Sequence, residues 1–479
     1  MKVLFIASEA VPFIKTGGLA DVIGTLPLEL RKLGIDARLV LPKYGDIDTT
    51  FQDKMVLKNT LSIKLGGKYH QGALLKMECD GVPCYFIEHD YFFNRKGIYG
   101  FEDDAARFAF FSSFVLEILP RLDFRPQILH CHDWHTGMVS FLLKTRYSER
   151  MYYKRIRTLF TIHNLGYKGL FPRKTIEDLF EIEPQQYFTI NSIEFFGQGS
   201  YLKGGLVFSD YITTVSKTYA REIQTPFYGE GLDDILRKRS NHLQGILNGL
   251  DYQHYNPLSD PSIFVPFRYS FEKKLENKLK LQEILRLPQD REIPLIAFIN
   301  RLVKQKGLDL INQARDELLG MNTQLIFLGK GEEKYEVFLQ QLADSYPDRV
   351  SANIIFDDTL ARKIYAASDM FLMPSLYEPC GISQLIAMSY GSAPIVRETG
   401  GLKDTVKEFN KFSKEGNGFS FKNYDAFEML STIKRAVKLY RDKHIWSKLM
   451  KNAVETDYSW KKPAKDYLEL YRRMLNATC

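Results

Sequence analysis

A chain of 479 residues is too long for one core of ordinary size, so two domains are expected, each large enough to bury an interior. Hydrophobic residues make up 45% and charged residues 26%, the balance of a globular protein and not of a disordered or fibrous one. The net charge of +7 is mild, no Lys/Arg block marks a nucleic-acid tail, and no apolar stretch reaches the roughly 18–20 residues a bilayer demands, so neither nucleic acid nor membrane is an expected partner.

The predicted elements alternate strand and helix. Val3 to Ala7 is a short continuous apolar run, as a buried parallel strand requires. The run from Met1 to Ile14 has the look of a signal peptide, but Glu9 interrupts it, no small-x-small cleavage site follows, and it leads straight into a glycine loop. It therefore reads as part of the fold. Gly18 to Leu33 has helical spacing (Leu19, Val22, Ile23, Leu26, Leu30, Leu33) with Gly34 as its stop. Ala37–Leu41, Gln127–His130, Thr158–Ile162 and Tyr211–Val215 read as further strands, with helical segments between them. The boundary falls near Leu247-Asn248-Gly249-Leu250-Asp251, where Asn-Gly marks a turn and a Pro-containing polar stretch follows.

The second half repeats the rhythm. Leu295–Ile299, Leu325–Leu328, Asn353–Phe356, Met370–Met373 and Pro394–Val396 read as strands, with helices at Leu308–Leu319, Thr359–Ala367 and Ile382–Tyr390. Such alternation predicts an α/β fold with parallel, doubly wound sheets. Trp460–Leu475 is an amphipathic helix whose apolar surface comes from Tyr467, Leu468, Leu470, Tyr471 and Leu475. The five cysteines, Cys79, Cys84, Cys131, Cys380 and Cys479, are odd in number and form no Cys-x-x-Cys pair, which argues against a disulfide framework and for a reducing, cytoplasmic setting.

Three segments carry chemistry. Lys15-Thr16-Gly17-Gly18-Leu19 joins a strand to a helix, where backbone N–H groups and a helix N-terminus favour an anion. It lacks both the Gly-Lys-Ser/Thr of a Walker loop and the Gly-x-Gly-x-x-Gly spacing, and the competing reading is an empty βα turn. Arg301 and Lys306 follow strand Leu295–Ile299, at the carboxyl end where open α/β sheets bind ligands. Two cations there suit a phosphate leaving group that gains charge in the transition state, against a solvated basic turn as the alternative. Glu378-Pro379-Cys380-Gly381 precedes helix Ile382–Tyr390, so Glu378 can accept from sugar hydroxyls and the N–H groups of Cys380, Gly381 and Ser383 can hold sugar and phosphate oxygens. The plainer reading is an N-capping turn with a surface carboxylate.

Other motifs carry less. His130-Cys131-His132-Asp133-Trp134-His135 offers ligand types that suit zinc, but no second cluster completes a four-ligand set, so no metal is expected. A sugar-site loop with Asp133 and an aromatic wall at Trp134 fits better, and His163, at the end of another strand, either faces the same cleft or is a core or turn histidine. Asp46-Ile47-Asp48 resembles a metal-binding Asp-x-Asp pair, and a turn is the expected outcome.

Taken jointly and in order, the motifs resemble those of the bacterial glycogen synthases and plant starch synthases that use ADP-glucose. The resemblance spans nearly the whole chain. It rests on Lys15-Thr16-Gly17-Gly18-Leu19-Ala20-Asp21-Val22, His132-Asp133-Trp134-His135, Thr161-Ile162-His163-Asn164-Leu165, Lys203-Gly204-Gly205-Leu206, Gly245-Ile246-Leu247-Asn248-Gly249, Arg301…Lys306-Gly307-Leu308-Asp309 and Pro374-Ser375…Glu378-Pro379-Cys380-Gly381.

The resemblance implies a B-type glycosyltransferase fold of two Rossmann-like domains facing across a cleft, residues 1–247 for the acceptor side and 248–457 for the nucleotide sugar. The segment 458–479 is then a helix crossing back to the first domain. It implies a retaining, metal-independent and cofactor-free transfer of glucose from ADP-glucose to the 4-hydroxyl of an α-1,4-glucan, glycogen or a maltooligosaccharide. On that basis Arg301 and Lys306 hold the diphosphate, and Lys15 with Gly17 and Gly18 approaches the same phosphates. Glu378, Cys380 and Gly381 hold the glucose, with Ser383 near a phosphate. Asp133, His163 and Asn248 line the reacting sugar, Phe356 stacks on adenine, and Glu194, Tyr201 and Lys203 lie in the acceptor region.

Two departures are visible. Eight positions beyond Glu378 stands Ile386, so the Glu-x7-Glu pattern of many retaining B-type transferases is absent, in agreement with the ADP-glucose synthases. Leu250 stands before Asp251 where the family usually has Ile or Val. The alternatives are a UDP-glucose-using synthase of the same fold and a non-catalytic glucan-binding protein.

Overall fold

The computed structural model describes residues 1–476 and divides into two compact units. Met1–Gly249 with the chain from Trp460 onward forms the first, and Leu250–Ser459 forms the second. Cys479 lies outside the described residues, and Cys79, Cys84, Cys131 and Cys380 are free thiols.

The strands of the first unit are β1 (Lys2–Ile6), β2 (Asp36–Pro42), β3 (Val56–Leu65), β4 (Lys68–Cys79), β5 (Val82–Glu88), β6 (Ile128–His132), β7 (Arg157–Ile162), β8 (Leu170–Pro172), β9 (Glu194–Phe195), β10 (Gln198–Ser200), β11 (Tyr211–Thr214) and β12 (Leu243–Gly245). Nine of them make one sheet in the order β12-β11-β7-β6-β1-β2-β5-β4-β3. Pairing is parallel from β12 to β5, and β4 and β3 then add antiparallel. The parallel sheet expected from the strand–helix rhythm is present from β12 to β5, and the antiparallel edge of β4 and β3 is an addition to it.

The cause is visible in the turns. Gly66-Gly67 and Asp80-Gly81 all have positive φ and close two-residue hairpins, Leu65 pairing with Lys68 and Cys79 with Val82. β3 exposes much of one face, whereas Val3 to Ile6 of β1 are fully buried. A small antiparallel sheet, β8-β10-β9, carries Glu194.

The helix Lys461–Asn476 packs in the first unit through Pro463, Ala464, Tyr467, Leu470, Tyr471 and Met474. Its Tyr471 hydroxyl meets His130 Nδ1 at 2.8 Å, and His130 Nε2 meets Thr161 Oγ1 at 2.6 Å. Both nitrogens of His130 are thus used inside the core.

The second unit holds β13 (Leu295–Ile299), β14 (Gln324–Leu328), β15 (Val350–Asn353), β16 (Met370–Met373), β17 (Ala393–Arg397) and β18 (Phe419–Phe421). They form one parallel sheet in the order β15-β14-β13-β16-β17-β18. Alternate side chains serve two cores, Ile296 and Phe298 on one face and Leu295 and Ala297 on the other. β15 ends at Asn353, so Phe356 lies in the following loop and not on a strand as expected. The expected helix Leu308–Leu319 is two, Leu308–Gln313 and Arg315–Gly320, broken at Ala314. Among the described residues, no helix is long and apolar enough to cross a membrane.

Candidate active site

In the second unit the strand order reverses beside β13, which has β14 on one side and β16 on the other. Loops leaving the carboxyl ends of such a pair diverge and open a crevice. The segments 300–307 and 374–382 are those two loops.

Gly307 has φ +81°, and a Cβ there would lie 2.1 Å from the Pro374 carbonyl oxygen, so glycine alone lets the loops approach this closely. Leu376 N donates to Gln305 O at 2.8 Å, and Gln305 Nε2 donates to Tyr377 O at 3.1 Å. These bonds seat Lys306 Nζ 2.6 Å from Glu378 Oε2, which also accepts from Ser375 Oγ at 3.1 Å.

Lys306 is 7% exposed and Glu378 6%, so each charge depends on the other for compensation. Gly400 and Gly401 close the loop from behind, where a Cβ would fall 1.8 Å from Glu378 O and 2.0 Å from Cys380 O. Gly381 has φ +74°, Gln384 Nε2 donates to the carbonyls of Cys380 and Gly381, and Ser383 opens the helix Ser383–Ser389. Arg301 is exposed at the mouth of its loop. Phe356, 91% exposed, presents a bare ring.

Gly307→Ala is expected to destabilise the protein by about 2 kcal/mol or more, since the left-handed backbone alone costs ~1–2 kcal/mol. Urea unfolding reads this directly, and an unchanged midpoint would show that the close approach to Pro374 is dispensable.

The first unit reverses its order beside β1, between β2 and β6. The glycine loop leaves β1, Asp133 leaves β6 and His163 leaves β7. Asp133 is buried with φ +54°, and its Oδ1 accepts from His163 N at 2.7 Å. Burial pushes its carboxyl up to about 7, against the pull of the His163 and Asn164 amides, and the charge of Glu9 adds to the rise. Burial lowers the imidazole of His163 to about 3, so it is neutral at physiological pH. His163 Nε2 lies 3.0 Å from His132 Nδ1, so one of the two donates and the other accepts. Asn248 is buried, and its Oδ1 has no hydrogen-bond partner among the described residues.

The glycine loop is held by an internal carboxylate. Glu9, 4% exposed, accepts through Oε2 from Thr16 N at 2.5 Å, Thr16 Oγ1 at 3.0 Å and Gly17 N at 3.3 Å. Tyr99 donates to its Oε1 at 3.3 Å. The Gly17 amide, expected to meet phosphate, is therefore engaged by an internal carboxylate. Gly18 opens the helix Gly18–Lys32, where the first amides have no intrahelical acceptor. Lys15 Nζ pairs with Asp21 at 2.7 Å.

Tyr201 is fully buried and its hydroxyl donates to Ala105 O at 2.9 Å. Lys203 donates to the carbonyls of Ile190, at 2.7 Å, and Glu194. The polar atoms of both side chains are engaged within the first unit. Lys203 fixes the strand bearing Glu194, whose Oε1 accepts from Gly197 N at 2.8 Å.

Of the weaker motifs, Asp48 caps the short helix Thr49–Gln52 and Asp46 accepts from Gly97 N at 2.6 Å, so both serve turns. His135 stacks on Tyr99 with ring centres 4.4 Å apart. Among the described residues, no group of three or more His, Cys, Asp or Glu side chains could hold a metal ion.

No individual role for Glu9, Tyr99, His132 or Ser375 follows from the sequence. Glu9 leaves one trace in the sequence, a lone charge breaking an apolar run at a strand's carboxyl end.

Residues 2–238 match the starch synthase catalytic domain family, and residues 280–453 match the glycosyl transferases group 1 family. The chain is 51% identical to a glycogen synthase of Desulforamulus reducens, covering 99% of each chain. It is 49% identical to a glycogen synthase of Geobacillus stearothermophilus, covering 99% of this chain and 98% of the other. Among solved structures, the catalytic domain of starch synthase IV from Arabidopsis thaliana, bound to ADP and acarbose, superposes with a TM-score of 0.91 at 34% identity, covering 99% of both chains. A sucrose-phosphate synthase from Thermosynechococcus elongatus shares the fold, with a TM-score of 0.62 at 17% identity over 100% of both chains. The chain belongs to the glycogen synthase and starch synthase family of glycosyltransferases.

Proposed function

We propose that this protein transfers glucose from ADP-glucose to the non-reducing 4-hydroxyl of an α-1,4-glucan, with retention of configuration and without a metal. The observation that carries the reading is the buried Lys306–Glu378 pair at a sheet switch point, with Arg301 on the same loop as Lys306. Support also comes from the starch synthase relative, which was solved with ADP and acarbose bound.

In this reading Arg301 and Lys306 take up the charge that develops on the diphosphate as the glycosidic C–O bond loosens. Lys15 and Gly18 serve the same diphosphate. Glu378 Oε1, the carboxylate oxygen not engaged by Lys306 or Ser375, accepts from donor-sugar hydroxyls, beside the amides of Cys380, Gly381 and Ser383. Phe356 stacks on adenine. Asp133, His163 and Asn248 line the reacting glucose, and the unpaired Oδ1 of Asn248 has the unmet demand of a ligand contact. Glu194 faces the acceptor, held by Lys203. The acceptor hydroxyl attacks from the leaving-group face, and the departing phosphate oxygen takes its proton. A neutral His163 suits that route, because it has no proton to give as an imidazolium.

The test is incubation with glycogen and either ADP-glucose or UDP-glucose in the presence of EDTA, following nucleotide release and glucose incorporation. ADP release matched by α-1,4 incorporation is expected. Turnover with UDP-glucose alone would overturn the donor, and glucan binding without turnover on either would overturn the activity.

A further inference from the structure

We propose that Glu9 is a positioning residue for the transfer, an internal anion that latches the glycine loop so that Lys15 and Gly18 are held ready for the donor diphosphate. This rests on the donor reading above. Glu9 follows β1 by three residues and turns its carboxylate inward. Its partners are Thr16 and Gly17, the two residues that lie between Lys15 and Gly18 in the chain. Fixing those two fixes where their neighbours point.

The chemistry of the latch is specific. A carboxylate accepts several hydrogen bonds and donates none, and here it receives two amides and two hydroxyls, from Thr16, Gly17 and Tyr99. It also sits behind the N-terminus of the helix Gly18–Lys32, where the helix dipole favours negative charge. Tyr99 is itself anchored, its hydroxyl 2.7 Å from Ser8 Oγ. Burial raises the Glu9 carboxyl and the four donors oppose that rise, so the latch consists of hydrogen bonds as much as charge. The loop amides that a phosphate would otherwise claim are already satisfied. The donor is left to the Gly18 amide and to Lys15, whose ammonium rests on Asp21 until a stronger anion arrives.

The distinguishing experiment compares Glu9→Ala and Glu9→Gln with wild type under the donor assay, measuring kcat and the KM for ADP-glucose and for glucan separately. Glu9→Ala is expected to lower kcat/KM for the donor about 30- to 100-fold while leaving the KM for glucan nearly unchanged, with a modest fall in the thermal midpoint from the donors left unpaired. Glu9→Gln retains an acceptor oxygen and can donate to the Tyr99 or Thr16 hydroxyl, so it is expected to recover most of the loss.

Donor kinetics within threefold of wild type for Glu9→Ala would overturn the proposal. So would donor and acceptor KM rising together with a lowered midpoint and no rescue by glutamine, the pattern of a general folding defect. If Glu9→Ala does not fold, Tyr99→Phe takes its place, with a several-fold loss confined to the donor expected and no donor effect overturning the idea. Wild-type turnover on ADP-glucose is the control that separates this outcome from failure of the donor reading itself.

Discussion

Lys306→Met is expected to lower kcat by about 10²–10³, the usual cost of removing one preorganised charge from a developing oxyanion. The substitution keeps the aliphatic stem and removes only the ammonium. It also strands Glu378, which is buried with Lys306 Nζ 2.6 Å away as its countercharge. Breaking one side of such a pair costs about 3–5 kcal/mol, so the unfolding midpoint should fall along with activity.

The double variant Lys306→Met with Glu378→Gln separates the two effects. Removing both charges should restore much of the stability and none of the turnover. Urea unfolding and initial rates on the same preparations give both numbers. Near-normal kcat in a folded Lys306→Met protein would exclude the leaving-group role, and a double variant as unstable as the single would exclude the stranded charge as the cause.

Asp133→Asn should separate stability from activity in the opposite sense. Asp133 sits at about 7 in the folded protein, against roughly 3.9 in an unfolded chain. The folded state therefore holds this proton more tightly. Its contribution to stability is complete below about pH 4, is lost as the pH rises through 7, and is gone above that. The asparagine variant lacks this dependence and should exceed wild type in stability at pH 8 by on the order of 1–3 kcal/mol, with no such advantage at pH 4.

Turnover should move the other way. Under the proposed role of Asp133 in lining the reacting glucose, its ionised carboxylate would stabilise positive charge at the anomeric carbon, so wild-type kcat should rise with pH through about 7. The variant should lose about 10²-fold and show no such limb. A variant less stable than wild type at pH 8, or one that keeps the acidic limb, would contradict the assignment of that titration to Asp133.

The parts of the fold most legible in the sequence were the buried parallel strands. Leu295–Ile299 and Met370–Met373 are strands over those same residues, because a strand covered on both faces must be a continuous apolar run with polar ends. The hairpins of β3, β4 and β5 were harder, since half-exposed strands dilute the apolar signal. The Gly66-Gly67 and Asp80-Gly81 turns were the marks to read there. Ala314 interrupts a helical pattern without any breaker residue, and only packing shows the break.

For the candidate site, motif spacing identified the loops but not which atoms within them are free. Thr16 and Gly17 are engaged by Glu9, whose lone charge in an apolar run is its one sequence trace, and Lys203 by backbone carbonyls, which leave none. The joining of Lys306 to Glu378 spans 72 positions of sequence and relies on Gly307, which lets two loops touch, and on Gly400 and Gly401 behind them.

The C-terminal helix bears on how the protein is made. The first unit takes its last helix, Lys461–Asn476, from chain that follows the whole of the second unit. A ribosome emits segments in order, and domains ordinarily fold as their last residues emerge. Here the first unit must wait through the synthesis of its neighbour with the surface meant for Tyr467, Leu470 and Met474 uncovered and His130 lacking its Tyr471 partner. The nascent chain thus passes through a stage in which one unit can be complete and the other cannot, and that stage is where chaperones and proteases would find it.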